Sequence, residues 1–186
     1  MGRKRIHVAH AVYHVTFNTK FRIPYFNEDV FCYILADVIH HATLLKDFFL
    51  IASKINPEHI HLLIKCGERC DLSEILHCIK RISAVRINQL ITQDTFDRRI
   101  TLSWTHEMLS FSRAFRKKYG TPSTFPFPLF KWQRGFNDVI MRSPNQLLTA
   151  KKYIRNQAAH HDLPEDVHLF LSPKIPEEIV YPALKG

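Results

Sequence analysis

Long apolar runs are missing from this sequence. No stretch approaches the roughly 20 consecutive apolar residues that a membrane-spanning helix needs. The N-terminal segment "MGRKRIHVAHAVYHVTF" is basic but broken by polar residues, so it lacks the apolar stretch of a secretory signal. Ile6 stands where a myristoylation signal beginning at Gly2 would carry Ser or Thr. The expectation is a soluble, cytoplasmic chain. Cysteine is scarce: there are four, Cys32, Cys66, Cys70 and Cys78. Reduced thiols are the default in such a compartment, and the spacing of Cys66, Cys70, His77 and Cys78 fits no familiar zinc site. Acidic residues are outnumbered, with 17 Asp+Glu against 26 Lys+Arg and a net charge of +9. That balance favours a polyanionic partner, nucleic acid first. Internal repeats are absent as well. The 186 residues, 46% of them hydrophobic, suffice for one domain with its own core.

Periodicity supplies the elements. In "HAVYHVTFNTK" (His10–Lys20), Ala11, Tyr13, Val15 and Phe17 share one face, and Val12, His14, Thr16 and Asn18 share the other, the signature of a strand. "NEDVFCYILADVIHHATLL" recurs at helical spacing, with Asn27 as its expected N-cap. "FFLIASKI" and "HIHLLIKC" read as two strands joined by a turn at Asn56-Pro57-Glu58. "DLSEILHCIKRISAVRINQLI" is a second helix, capped by Asp71 or Ser73, with Leu72, Ile75, Leu76, Ile79 and Ile82 as its apolar stripe. "FKWQRGFNDVIM" reads as a strand bulged at Gly135. "SPNQLLTAKKYIRNQAAHH" opens with Ser143 as N-cap and Pro144 at the first helical position. The order β-α-β-β-α-β-α predicts an α+β fold: a ferredoxin-like split βαβ, with an antiparallel sheet, helices on one face and an additional C-terminal helix. The expected organisation is one domain over 1–163, which the resemblance described below makes catalytic, interrupted by an insert at about 94–129, and a Pro-rich arm over 164–186.

Two places carry chemistry. His59 and His61, in "PEHIHLLIKC", point to the same face of their strand, with Ile60, Leu62, Ile64 and Cys66 on the opposite, core-facing side. Two imidazoles so placed suit one metal ion or one phosphate, although an isolated His-x-His is more often a pair of hydrogen-bonded strand residues. The expectation places both on an open face of the sheet. In the last helix, Leu147, Ala150, Ile154 and Ala158 form a buried stripe, with Gln146, Tyr153, Gln157 and His160 along its edge. Tyr153 and Gln157 are one turn apart and hence neighbours. An amide oxygen can complete a metal site begun by two imidazoles, and a phenol oxygen can attack phosphorus. Basic residues cluster twice, at Lys80, Arg81 and Arg86 and at Arg113, Arg116, Lys117 and Lys118, each a candidate set of phosphate contacts or simply a solvated face.

These segments together resemble a known family, the single-tyrosine HUH transposases of the insertion-sequence two-hundred type, above all the REP-associated tyrosine transposases. His59-Ile60-His61 matches the His-hydrophobic-His motif, and "YHVTFNTKFRIPYF", "LSEILHCIKRISAVRIN" and "FKWQRGFNDVIMRS" match further segments in the family's order. "YIRNQ" stands where the family has its tyrosine helix. The resemblance runs from about His10 to Leu163. It implies Tyr153 as nucleophile, His59, His61 and Gln157 as ligands of Mg²⁺ or Mn²⁺, and cleavage and rejoining of hairpin-containing single-stranded DNA through a 5′-phosphotyrosine by a homodimer. The family usually continues its tyrosine motif with Asn-Pro, where this chain has Gln157-Ala158.

Three rival readings remain. A catalytically silent, domesticated DNA-hairpin-binding protein of the same fold would bind without forming an adduct. A histidine-triad phosphoesterase would want a third histidine at position 63, which is Leu63. An RNA-binding ferredoxin-like module would want stacking aromatics on the face of His14, Thr16 and Asn18.

Overall fold

The computed structural model describes residues 8–92, 117, 129–161, 163–164 and 167–183. The elements, in chain order, are β1 (Val12–Asn18), α1 (Asp29–Leu45), β2 (Phe48–Asn56), β3 (His59–Cys66), α2 (Leu72–Thr92), β4 (Asn137–Ile140), α3 (Pro144–Arg155), α4 (Gln157–His160) and β5 (Leu169–Leu171). The strands form one sheet in the order β4-β1-β3-β2-β5, with every pair antiparallel. The first four strands and α1 and α2 make the split βαβ plan, as the sequence pattern predicts.

Alternation decides the two layers. Tyr13, Val15 and Phe17 of β1 and Ile60, Leu62 and Ile64 of β3 enter the larger core with the inner faces of α1 and α2. Asp71 and Glu74 start α2 with a reciprocal capping box: the Glu74 N–H donates to Asp71 Oδ1 at 2.8 Å, and the Asp71 N–H donates to Glu74 Oε2 at 2.9 Å. Arg86 of α2 is ion-paired with Asp37 of α1, the two side chains being 19% and 15% exposed, which ties the helices together beside their apolar contact.

The other face is not open. Leu147, Ala150 and Ile154 of α3 pack onto Val12, Ile51, Leu63 and Met141 as a second, smaller core. Residues on that face of β3 are therefore covered: His59 is 8% exposed and His61 5%. The expectation of two histidines on an open face is corrected by this layer. The stripe that buries them was legible, but not which face of the sheet it would choose. A register shift between Leu50 and Ala52 lets consecutive Ile51 and Ala52 both reach the second core.

Several boundaries differ from the sequence pattern. Asn27 closes a 3-10 turn (Tyr25–Asn27), so Glu28, rather than Asn27, precedes the first helical residue. Gly135, with φ of 72°, lies in the turn before β4 and does not bulge it; the strand begins at Asn137. β1 lies between β3 and β4 as an interior strand; β4 and β5 are the edges. The C-terminal arm contributes β5, which pairs with Ala52–Lys54 of β2, and Val180, whose N–H donates to His10 O at 3.1 Å. Of the expected insert, only Lys117 and Leu129 are among the described residues. No described helix is long and apolar enough to cross a membrane.

Candidate active site

Sheet register brings the polar groups of three strands together on the α3 side. His61 sits opposite Thr16 of β1, and His59 opposite both Asn18 of β1 and Asn56 of β2. The hairpin turn is only Pro57-Glu58, so it delivers Glu58 directly beside His59.

Hydrogen bonds orient both imidazoles. His59 Nδ1 lies 3.1 Å from Glu58 Oε1, a contact that places a proton on Nδ1 and leaves Nε2 as the lone-pair nitrogen. His61 Nδ1 lies 2.9 Å from Thr16 Oγ1 and 3.1 Å from His14 Nε2. The two Nε2 atoms face each other at 3.1 Å. Burial depresses the basicity of the whole group. His61 is pushed down to about 3, first by burial and then by His59 and His14, with a Gln157 hydrogen bond opposing. His59 is also lowered by burial, against the pull of Glu58, and His14 is lowered by burial. Neutral imidazoles are the form that binds metal.

The tyrosine helix ends at Arg155, and Asn156 (φ −84°, ψ 1°) separates it from α4, which Gln157 opens. Tyr153 and Gln157 therefore do not sit on one continuous helix, as their spacing suggested. Asn156 N–H still reaches Lys152 O at 3.0 Å, so the break is small and both side chains reach the same place. Ser143 caps α3 as expected, accepting from Gln146 N–H at 3.2 Å, with Pro144 in the first turn. Gln146 does not run toward the site: its Oε1 accepts from Arg142 N–H at 2.8 Å. Tyr153 is 46% exposed, with its ring 5.5 Å from that of His61 and 5.7 Å from that of His14. Gln157 is 3% exposed, and Asn56 Nδ2 donates to its Oε1 at 3.4 Å and to His59 Nε2 at 2.9 Å. One cavity of about 380 Å³ is bordered by His59, His61, Tyr153 and Gln157 together.

The donor set fits a divalent ion. Two nitrogens each about 2.1 Å from one ion, at right angles around it, lie about 3.0 Å apart. The Nε2 atoms of His59 and His61 are already at 3.1 Å. Nearby, Asn56 Oδ1 is buried with no hydrogen-bond partner among the described residues. Among those residues, no group of three or more His, Cys, Asp or Glu side chains is arranged to hold a metal. A site here thus depends on an amide oxygen as third protein ligand.

Sequence reasoning missed Asn56, Glu58 and Thr16 as the groups that hold the imidazoles, and His161, whose ring lies 5.0 Å from that of His59. The strand alternation carried the signal for Thr16, and the two-residue turn carried it for Asn56 and Glu58. The expected phosphate contacts divide. Arg81 and Lys117 are exposed. Lys80 Nζ instead donates to the carbonyls of Gln133 and Gly135, each at 2.7 Å, and Arg86 is engaged by Asp37. Arg113, Arg116 and Lys118 lie outside the described residues.

Compared with protein families, residues 7–112 match the one described as "Transposase IS200 like". The chain belongs to the IS200-like transposase family. The match includes the histidine pair and ends before α3, so Tyr153 and Gln157 lie beyond it. Among solved structures, the chain is similar to "the REP associates tyrosine transposase bound to a REP hairpin", with a TM-score of 0.56 and 16% identity over 87% of this chain and 74% of that one. It also matches a protein of Deinococcus radiodurans R1 described as a transposase, with a TM-score of 0.45 and 18% identity over 84% of this chain and 98% of that one. No curated protein matches significantly. Membership of a transposase family makes this chain a DNA-processing protein of DNA transposition.

Proposed function

We propose that the protein cuts and rejoins single-stranded DNA through a covalent tyrosine intermediate. The observation that carries this reading is the common cavity of Tyr153, His59, His61 and Gln157. Tyr153 Oη attacks a phosphodiester phosphorus. The O–P bond to the phenol forms as the bond from phosphorus to the 3′ oxygen breaks. The phenolic proton ends on that oxygen, leaving a 5′-phosphotyrosine and a free 3′-hydroxyl. No water is consumed, so the phosphotyrosine retains the energy for rejoining when a 3′-hydroxyl attacks it in turn.

His59, His61 and Gln157 would hold Mg²⁺ or Mn²⁺. Imidazole ligands favour Mn²⁺, and such an ion when bound polarises a phosphoryl oxygen. Glu58 and Thr16 keep the two imidazoles oriented. The second core under α3 fixes the distance of Tyr153 from them.

The solved relative is bound to a REP hairpin, and hairpin-containing single-stranded DNA is the substrate proposed here too. Arg81, Lys117 and the cluster around Arg113, Arg116 and Lys118 are proposed to contact phosphates, while Lys80 and Arg86 are left to their structural partners. The working unit is proposed to be a homodimer. If it joins sheets edge to edge, it must use β4 or β5.

The test is incubation with a library of single-stranded hairpins and Mn²⁺, followed by isolation of protein–DNA adducts and peptide mapping. The nucleotide is expected on the Tyr153 peptide. An adduct on another tyrosine refutes the mechanism, and binding with no adduct under any divalent ion leaves a hairpin-binding protein.

A further inference from the structure

Beside the candidate active site lies a second hollow, of about 680 Å³, whose role is not covered by the scheme above. Its walls are two short segments, residues 20–22 and 131–134. They bring four cations to it, Lys20, Arg22, Lys131 and Arg134, and no carboxylate among the lining residues. Backbone bonds fix the walls against each other: Lys20 N–H donates to Lys131 O at 2.7 Å, and Gln133 N–H donates to Asn18 O at 2.8 Å. Thr19 and Trp132 form an antiparallel bridge between them.

The two aromatic residues of the hollow are used differently. Trp132 is anchored in the protein, edge-on to Phe17 at 4.7 Å and to Phe130 at 5.0 Å, with its Nε1–H donating to Ser83 Oγ at 2.9 Å. Phe21 is 82% exposed. Its backbone is left-handed (φ 61°, ψ 17°), and that of Arg22 is too (φ 53°). A bulky side chain at such an angle is an outlier that glycine or asparagine would relieve, and outliers of this kind collect at functional sites. Here the strained turn displays an aromatic face to solvent, with Lys20 Nζ over the ring at 4.9 Å from its centroid. Arg22 lines both this hollow and the cavity of Tyr153, so the two are contiguous.

An exposed ring flanked by cations on a rigid frame is the arrangement that binds unpaired nucleic acid, with a base stacked on the ring and the backbone tracked by charge. A duplex presents no free base face, and an acidic peptide has no use for the ring. We propose that this groove binds the segment of single-stranded DNA next to the phosphate that Tyr153 attacks, with one base stacked on Phe21 and the adjoining phosphates held by Lys131 and Arg134. The proposal rests on the reading of the neighbouring cavity as a DNA-cleaving site.

The test measures affinity by fluorescence anisotropy on the full chain, with EDTA present so that no strand is cut. The probes are a DNA hairpin with a short single-stranded end, the same hairpin with its strand extended by a few nucleotides at its 5′ or its 3′ end, and a blunt duplex. Wild type is expected to bind one extended strand more tightly than the short one. Phe21→Ala should weaken that extended complex about tenfold, the scale of one base–aromatic stack, and Phe21→Trp should restore it. Lys131→Gln and Arg134→Gln should each lower the slope of log affinity against log salt by about 0.7. Melting temperatures guard against unfolding, and a ring this exposed should leave them unchanged. If wild type binds DNA but Phe21→Ala binds the extended strand equally well, the groove is wrong and the cleavage reading stands. If wild type binds none of the probes, both fall.

Discussion

His59 and His61 present their Nε2 atoms to each other at 3.1 Å, each imidazole steadied through its other nitrogen, one by Glu58 and one by Thr16. Glu58 fixes the tautomer of His59 and turns its Nε2 lone pair inward, and Thr16, which can donate or accept, lets His61 do the same when an ion is bound. His59→Ala or His61→Ala is therefore expected to remove divalent-ion binding, read by calorimetric Mn²⁺ titration, and divalent-dependent cleavage with it. Gln157→Ala should be milder, because water can replace one neutral ligand. Undiminished Mn²⁺ affinity in both histidine variants would sink the metal assignment.

Glu58→Gln tests the outer contact, and also loosens the carboxylate's ion pair with Arg22 at 3.6 Å. Loss of an orienting carboxylate typically costs about 10–100-fold in metal affinity. The Glu58→Gln protein should show that loss while keeping its fold, since Glu58 sits in a surface turn, 18% exposed at its side chain. An unchanged affinity would show that the carboxylate does not orient His59.

Tyr153→Phe removes one oxygen from a half-exposed ring. It is expected to retain DNA and Mn²⁺ binding and to yield no covalent adduct on denaturing gels. Any adduct from this variant would move the nucleophile elsewhere.

Acid should unfold the protein earlier than its carboxylates alone would dictate. His14, His59 and His61 have lowered pKa values in the folded chain, so the unfolded state takes up protons that the folded state refuses. Their contribution is complete above the ordinary imidazole value of about 6.5 and declines as pH falls, for His61 down to about 3. The decline per imidazole is at most about 1.4 kcal/mol per pH unit. Urea unfolding at a series of pH values should show a slope that flattens in His61→Gln; an identical slope in the variant contradicts the assignment.

Arg86 offers a contrast between a phosphate contact and a strut. Its pair with Asp37 is mostly sheltered, and removing one member of such a pair costs about 3–5 kcal/mol. Arg86→Ala should lower the urea midpoint strongly and leave the salt dependence of DNA affinity as in wild type. A shallower salt slope at unchanged stability would return Arg86 to the DNA surface.

Much of this was written in local patterns. Strand alternation placed Tyr13, Val15 and Phe17 in the larger core and His59 with His61 on the other face, and Ser143-Pro144 marked the start of the last helix. What alternation does not encode is what covers a face, which is why the histidines were expected to be open when α3 packs beside them and leaves each under a tenth exposed. Lys80 and Arg86 looked like free charge because their partners, the carbonyls of Gln133 and Gly135 and the carboxylate of Asp37, are far away in sequence. β5 is three residues long and too short for a period to declare itself. The helix break at Asn156 carried no proline or glycine to announce it.

The two-residue turn at Pro57-Glu58 makes the chemistry of β3 a matter of odd and even. Asn56 is paired with His59, and every later position inherits its side of the sheet from that pairing. An insertion or deletion of one residue there would swing both imidazoles into the hydrocarbon under α1 and α2 and push Ile60 and Leu62 out beneath Tyr153. A change of two would restore the sides and merely slide the pair along the strand. Length variation among functional descendants of this hairpin should therefore come in steps of two, or be cancelled by a compensating bulge before His59, as the shift at Leu50/Ala52 already does farther up the partner strand.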